Sequence, residues 1–85
     1  MGVLLDELDE TILVAMVPAA AAYYTLPDLR RVTGLSLAAL ATRLPRLKRQ
    51  GYLLRRRAAA AGDERAYCLS RAGEDAAVEL RAAAR

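Results

Sequence analysis

Between Arg30 and Arg57 the chain carries nine cations and no acid: Arg30, Arg31, Arg43, Arg46, Lys48, Arg49, Arg55, Arg56 and Arg57. A guanidinium group stays protonated in proteins and presents a planar fork of N–H donors. It suits phosphate oxygens and the guanine edge better than it suits acid–base catalysis. The signs are also segregated along the chain. Five acids and no base precede Arg30, and the stretch after Arg57 is mixed, so the net charge of +3 hides a basic middle third. A merely solvated surface would interleave its charges. This pattern points to a polyanion as partner.

The residues needed for other chemistry are missing. There is no histidine, and Cys68 is the single cysteine. The commonest metal ligand and general base are therefore lacking, and neither an intrachain disulfide nor a multi-cysteine metal site can form. Ser36 and Ser70 have no base beside them and read as helix caps. Asp6, Glu7, Asp9 and Glu10 read as a solvated helix start, and Cys68 as a small apolar residue in a strand. We expect no enzymatic activity, no cofactor and no metal, and no small-molecule effector is indicated. The apolar run from Thr11 to Tyr24 is too short to span a bilayer, is interrupted by Pro18 and follows acids. It reads as core, in a cytoplasmic, nucleoid-associated protein with no membrane partner.

These 85 residues are expected to form one domain, 1–85, with little area to bury. Leu5, Leu8, Ile12, Ala15 and Met16 share one helical face, predicting a first helix over roughly 4–17. Tyr23 to Leu26 suit a short strand. Pro27, Asp28 and Gly34 bracket a second helix over 27–33. Ser36 then caps a third helix that Gly51 ends. "YLLRRR" and "RAYCLS" read as two strands, with the reversal at Gly62-Asp63 and the extent of the wing at 58–61 left open. Ser70 caps a last helix over 71–84.

Helix, strand, helix, turn, helix, hairpin, helix is the order of a winged helix-turn-helix, a mainly α (α+β) fold. It has a three-helix core, a two-stranded wing and a C-terminal helix. The stretch "LPDLRRVTGLSLAALATRLPRLKRQGYLLRR" resembles the helix-turn-helix of MarR- and PadR-like bacterial transcription regulators. "RAYCLSRAG" resembles the closing wing strand and the capped helix after it, and the short wing loop favours the PadR-like branch. The resemblance implies a sequence-specific regulator of double-stranded DNA, usually a dimeric repressor. It places the helix-turn-helix at about 27–50, the wing at about 52–69 and the last helix at about 71–84.

Within the third helix Leu37, Leu40, Leu44 and Leu47 fall within about 80° of one another and are expected to face the core. Pro45 then faces outward, and the unbroken leucine register predicts one helix bent at the proline. Candidates for base contact are Ser36, Ala38, Ala39, Thr42, Arg43 and Arg46. Candidates for phosphate or minor-groove contact are Arg30, Arg31, Lys48, Arg49, Arg55, Arg56, Arg57 and Arg65. The four tyrosines read as core or rim. Excess apolar surface on the terminal helices predicts a homodimer through Leu13, Val14, Val17, Leu80, Ala83 and Ala84. Its inverted half-sites would lie about 10 base pairs apart. Two other readings remain: an architectural or partition DNA-binding protein of a mobile element, and a protein-interaction winged helix in a larger assembly.

Overall fold

The structure, a computed structural model, describes residues 5–19, 22–57 and 65–83. Helix α1 spans Glu7–Ala15 and is followed by a 3-10 turn at Val17–Ala19. Strand β1 (Tyr24–Thr25), helix α2 (Leu26–Thr33), helix α3 (Leu37–Arg49), strands β2 (Leu53–Arg57) and β3 (Arg65–Leu69), and helix α4 (Arg71–Ala83) complete the chain. The order expected of a winged helix is the order found. The Gly62-Asp63 reversal and the alanines 58–61 lie outside the described residues.

Local chemistry sets the boundaries. Asp6 ends its extended backbone by accepting the Asp9 N–H at 2.9 Å, and Asp9 Oδ2 accepts the Asp6 N–H at 3.2 Å. This capping box starts α1 at Glu7, later than the roughly residue-4 start expected. Thr25 and Asp28 repeat the device on α2, with N–H to side-chain distances of 3.0 and 3.3 Å. Ser36 Oγ caps α3 through the Ala39 N–H at 3.1 Å. At the other end of α3, Gly51 adopts φ +89°. Its N–H reaches Lys48 O and the Tyr52 N–H reaches Leu47 O, both at 3.0 Å. That paired closure requires a left-handed residue, and glycine takes that conformation without a Cβ penalty. The helix runs unbroken through Pro45, which is exposed. The Ala41 carbonyl that loses its N–H partner there lies on an exposed part of the helix.

The sheet is antiparallel, ordered β1-β3-β2, so the short first strand completes the wing. Leu53 faces Leu69, and Tyr24, Tyr67 and Arg55 lie in one row across the three strands. Alternation puts Leu53, Tyr67 and Leu69 on the face turned to the helices, while Leu54, Cys68 and Arg56 lie on the other. The core joins those side chains to Ile12, Leu13, Met16, Leu29, Leu40, Leu44, Leu47 and Ala77. Cys68 is buried and unpaired, as read from its strand context. Leu37 departs from expectation: it is 49% exposed. It stands at the first turn of α3, at the edge of the leucine stripe.

Gly73 marks a close backbone approach. Ser70 Oγ accepts its N–H at 3.0 Å and donates to Gly51 O at 2.5 Å, while the Ser70 N–H reaches Tyr52 O at 3.0 Å. These bonds press the start of α4 onto the turn after α3. A Cβ at Gly73 would stand 2.0 Å from Tyr52 O, a backbone atom that cannot rotate away. Gly73→Ala should therefore lower stability by about 1–3 kcal/mol despite alanine's better helix propensity. A urea melt checks this; an unchanged or higher midpoint would contradict the close approach.

Candidate nucleic-acid interface

Helices α2 and α3 form the helix-turn-helix, joined by Gly34-Leu35-Ser36. Gly34 (φ +73°) closes α2 by donating to Arg30 O at 2.9 Å, and Leu35 packs against the core. Burial of Leu29, Leu40, Leu44 and Leu47 fixes how the pair presents its outer surface. Arg30 and Arg31 are exposed on α2, and Arg31 reaches Asp28 Oδ1 at 3.2 Å. The Thr25 backbone N–H, the Thr25 hydroxyl and Arg31 together hold the Asp28 carboxyl below its ordinary range.

On α3 the exposed residues are Leu37, Ala38, Ala41, Thr42, Pro45, Lys48 and Arg49, with Ser36 exposed at the cap. Ala39 is half-buried. At 100° per residue the exposed set spans a continuous arc of about 140°. That arc is rotated from the one expected. Ala41 and Leu37 belong to it, whereas Arg43 and Arg46 do not stand at its centre.

The two arginines turn instead to the start of α1. Arg46 Nη2 pairs with Asp9 Oδ2 and stands 3.6 Å from Asp6 Oδ2. Arg43 Nη1 pairs with Asp6 Oδ2 and stands 3.4 Å from Asp9 Oδ1. The Asp9 side chain is completely buried, which corrects its reading as part of a solvated helix start. Asp6 and Glu7 are exposed as expected. A buried carboxylate needs counter-charge and donors. Here it has two guanidinium groups and the Asp6 N–H. Stripping Asp9 of its partners costs on the order of 3 kcal/mol. For Arg43 or Arg46 to meet a base, each would first have to leave its carboxylate.

The wing adds further cations. Arg55 and Arg56 are exposed and, on adjacent residues of β2, point to opposite faces of the sheet. The Arg56 guanidinium lies 4.9 Å from the ring centroid of Tyr23, a cation–π arrangement that orients it. Tyr23 is 40% exposed, while Tyr67 is buried and Tyr24 and Tyr52 are partly buried. Backbone pairing sets Arg57 opposite Arg65, at the end of the wing where β2 leads into β3.

The expected dimer face divides. Leu13 is fully buried within this chain's own core and is not available to a partner, because α1 rotates it toward the helices it packs on. Val17 packs partly against that core. Val14 and Leu80 line an open groove of about 410 Å³ between α1 and α4, with Ala15 beside them and Glu7, Glu10 and Thr11 on its rim. Ala83 is exposed, and Ala84 lies outside the described residues.

The Asp6 carboxyl is pulled down to about 2 by the Asp9 backbone N–H first, then by Arg43. Arg43 is pushed up in turn, chiefly by its hydrogen bond to Asp6. A depressed carboxyl pKa contributes stability that is complete above the ordinary value of 3.8 and fades as pH falls toward 2. Asparagine is an equally good N-cap, so Asp6→Asn isolates the charge. The wild-type advantage over this variant in urea melts should be constant above about pH 4 and vanish near pH 2. An advantage that does not change with pH would remove the ion pair from the account.

Neither a scan against protein-family models nor a search of curated proteins finds a match. Solved structures do match. A zinc-responsive MarR family member, Lactococcus lactis ZitR, is 24% identical, with a TM-score of 0.79 over 96% of this chain and 55% of its own. A MarR-like transcription regulator from Bacillus cereus ATCC 10987 is 15% identical, with a TM-score of 0.79 over 92% of this chain and 55% of its own. Overoxidized AbfR bound to DNA is 23% identical, with a TM-score of 0.65 over 88% of this chain and 57% of its own. This chain thus spans about half the length of the chains it matches. At such identities the likeness is one of architecture, and on it the chain has the winged-helix fold of MarR-like transcription regulators.

Proposed function

We propose that this protein is a sequence-specific, double-stranded-DNA-binding transcriptional regulator, a homodimeric repressor without enzymatic activity or cofactor. The observation that carries the reading is the coincidence of charge and fold. The cations from Arg30 to Arg57 fall on the helix-turn-helix and wing of a fold that, in AbfR, is found bound to DNA. In this reading the start of α3 enters the major groove, with Ser36, Ala38, Ala39 and Thr42 near the bases. Arg30, Arg31, Lys48 and Arg49 hold phosphates from the two helices. Arg55, Arg56, Arg57 and Arg65 hold phosphates or the minor groove from the wing. The absence of acid over the same stretch disfavours a protein-interaction winged helix, whose third helix would be of mixed sign. The zinc response of ZitR is not part of the proposal, since this chain has no histidine and a single, buried cysteine. Binding chromosomal DNA would place the protein at the nucleoid.

Salt dependence tests the interface. The logarithm of affinity should fall with the logarithm of salt concentration by about 0.9 per phosphate neutralised. Replacing Arg55, Arg56 and Arg57 by alanine should flatten that slope while leaving site preference unchanged. An interaction indifferent to salt would contradict the DNA reading.

Assembly is tested separately. Val14 and Leu80 around the α1–α4 groove, with Val17 and Ala83 nearby, form the proposed two-fold interface, presenting two α3 helices to half-sites about 10 base pairs apart. Sedimentation at micromolar concentration should give a dimer for the wild type and a monomer for Leu80→Asp. A wild type that stays monomeric on DNA would contradict both the dimer and the inverted repeat.

A further inference from the structure

We infer that the recognition helix reads thymine methyl groups, through Leu37, Ala41 and Thr42, and does not read guanine through arginine. The inference rests on the DNA-binding reading and specifies its base chemistry. Leu37 is 49% exposed, on the first turn of α3, although burial in the core was available to its three leucine neighbours. Ala38, Ala41 and Thr42 are exposed beside it, and the next charges on this arc are Lys48 and Arg49, in the last turns. The part of the helix that enters a major groove is therefore uncharged, and its largest side chain is aliphatic. The cations that bring a polyanion to it lie around it, on α2, at the far end of α3 and on the wing.

The two arginines that the sequence offered as base readers are held elsewhere. Arg43 pairs with Asp6 and Arg46 with Asp9, each partner 37 residues earlier in the chain. Moving Arg46 into the groove would take from a fully buried carboxylate the nearer of its two guanidinium partners. In the major groove the only apolar group on a base edge is the C5 methyl of thymine, which alanine, the threonine methyl and other apolar side chains meet by contact. Leu37 and Ala41 lie one turn apart, within about 40° of one another on the helix, so they can span successive base pairs on one strand.

The test uses the full chain. Fragments bound from random double-stranded DNA are selected, and the selected site is rebuilt with deoxyuridine replacing each thymine in turn. Deoxyuridine keeps base pairing and removes only the methyl group. At one or more thymines per half-site, affinity should fall about fourfold, the equivalent of about 0.8 kcal/mol for a buried methyl-sized group. Leu37→Ala, at a half-exposed position, should erase that fall at its own thymine while leaving the thermal midpoint near wild type. If deoxyuridine is tolerated at every position, or if Arg43→Ala or Arg46→Ala relaxes a guanine preference without loss of stability, the inference is overturned while DNA binding stands. If no DNA is retained at all, the DNA-binding reading itself fails and this inference with it.

Discussion

The completely buried carboxylate of Asp9 is the constraint around which this small domain is arranged. It caps its own helix by accepting the Asp6 N–H, and it draws two arginines of α3 across to the start of α1. A carboxylate in that position is tolerable only with its partners in place, so α1 and α3 are held in one orientation by charge as well as by apolar packing. Ile12, Leu13 and Met16 of α1 share one core cluster with Leu40, Leu44 and Leu47 of α3. The helix that bears the proposed interface is thereby fixed to the helix that lines the α1–α4 groove.

That arrangement divides the basic stretch by function. Arg43 and Arg46 are engaged by the acids at the start of α1. Arg30, Arg31, Lys48, Arg49, Arg55 and Arg56 are exposed and offer positive charge around the uncharged start of α3. Surface charges of this kind act over a screened range of roughly 8–10 Å at physiological salt. In the proposed complex with DNA they attract and position the polyanion, whereas discrimination between bases falls to the first turns of α3. On this helix those turns present a leucine, alanines and a threonine hydroxyl and methyl.

Pro45 fits the same logic. Its outward position keeps its ring away from the core, and the carbonyl it leaves without an N–H partner belongs to Ala41, on the exposed arc. A proline on the buried side of α3 would have disturbed the leucine packing and the arginine pairs together. On the exposed side it limits only the helix's own hydrogen bonding, so the helix continues to Arg49 and closes at Gly51.

The order of elements was legible in the sequence because each boundary carries its own local chemistry. Ser36 and Ser70 cap helices, Pro27 and Asp28 start one, Gly34 and Gly51 end them, and alternation marks the wing strands, whereas the caps at Asp6 and Thr25 came to light only in the structure. The basic segment behind the proposed polyanion partner was legible too, since acid-free charge over 28 residues is a property of the sequence itself. The buried Asp9, the exposed Leu37 and the arginines turned inward were not legible. Periodicity along one helix assigns a face only up to the rotation that neighbours impose, and the neighbour here, Asp6 and Asp9, lies more than thirty residues away. Gly73 likewise reads as an ordinary helix residue until the turn at Tyr52 is brought against it. Local hydrogen bonds and charge composition are properties of short stretches, and the chain alone determined them. Which charges meet, and which leucine faces water, depends on contacts between segments distant in sequence, and only the tertiary structure decided those.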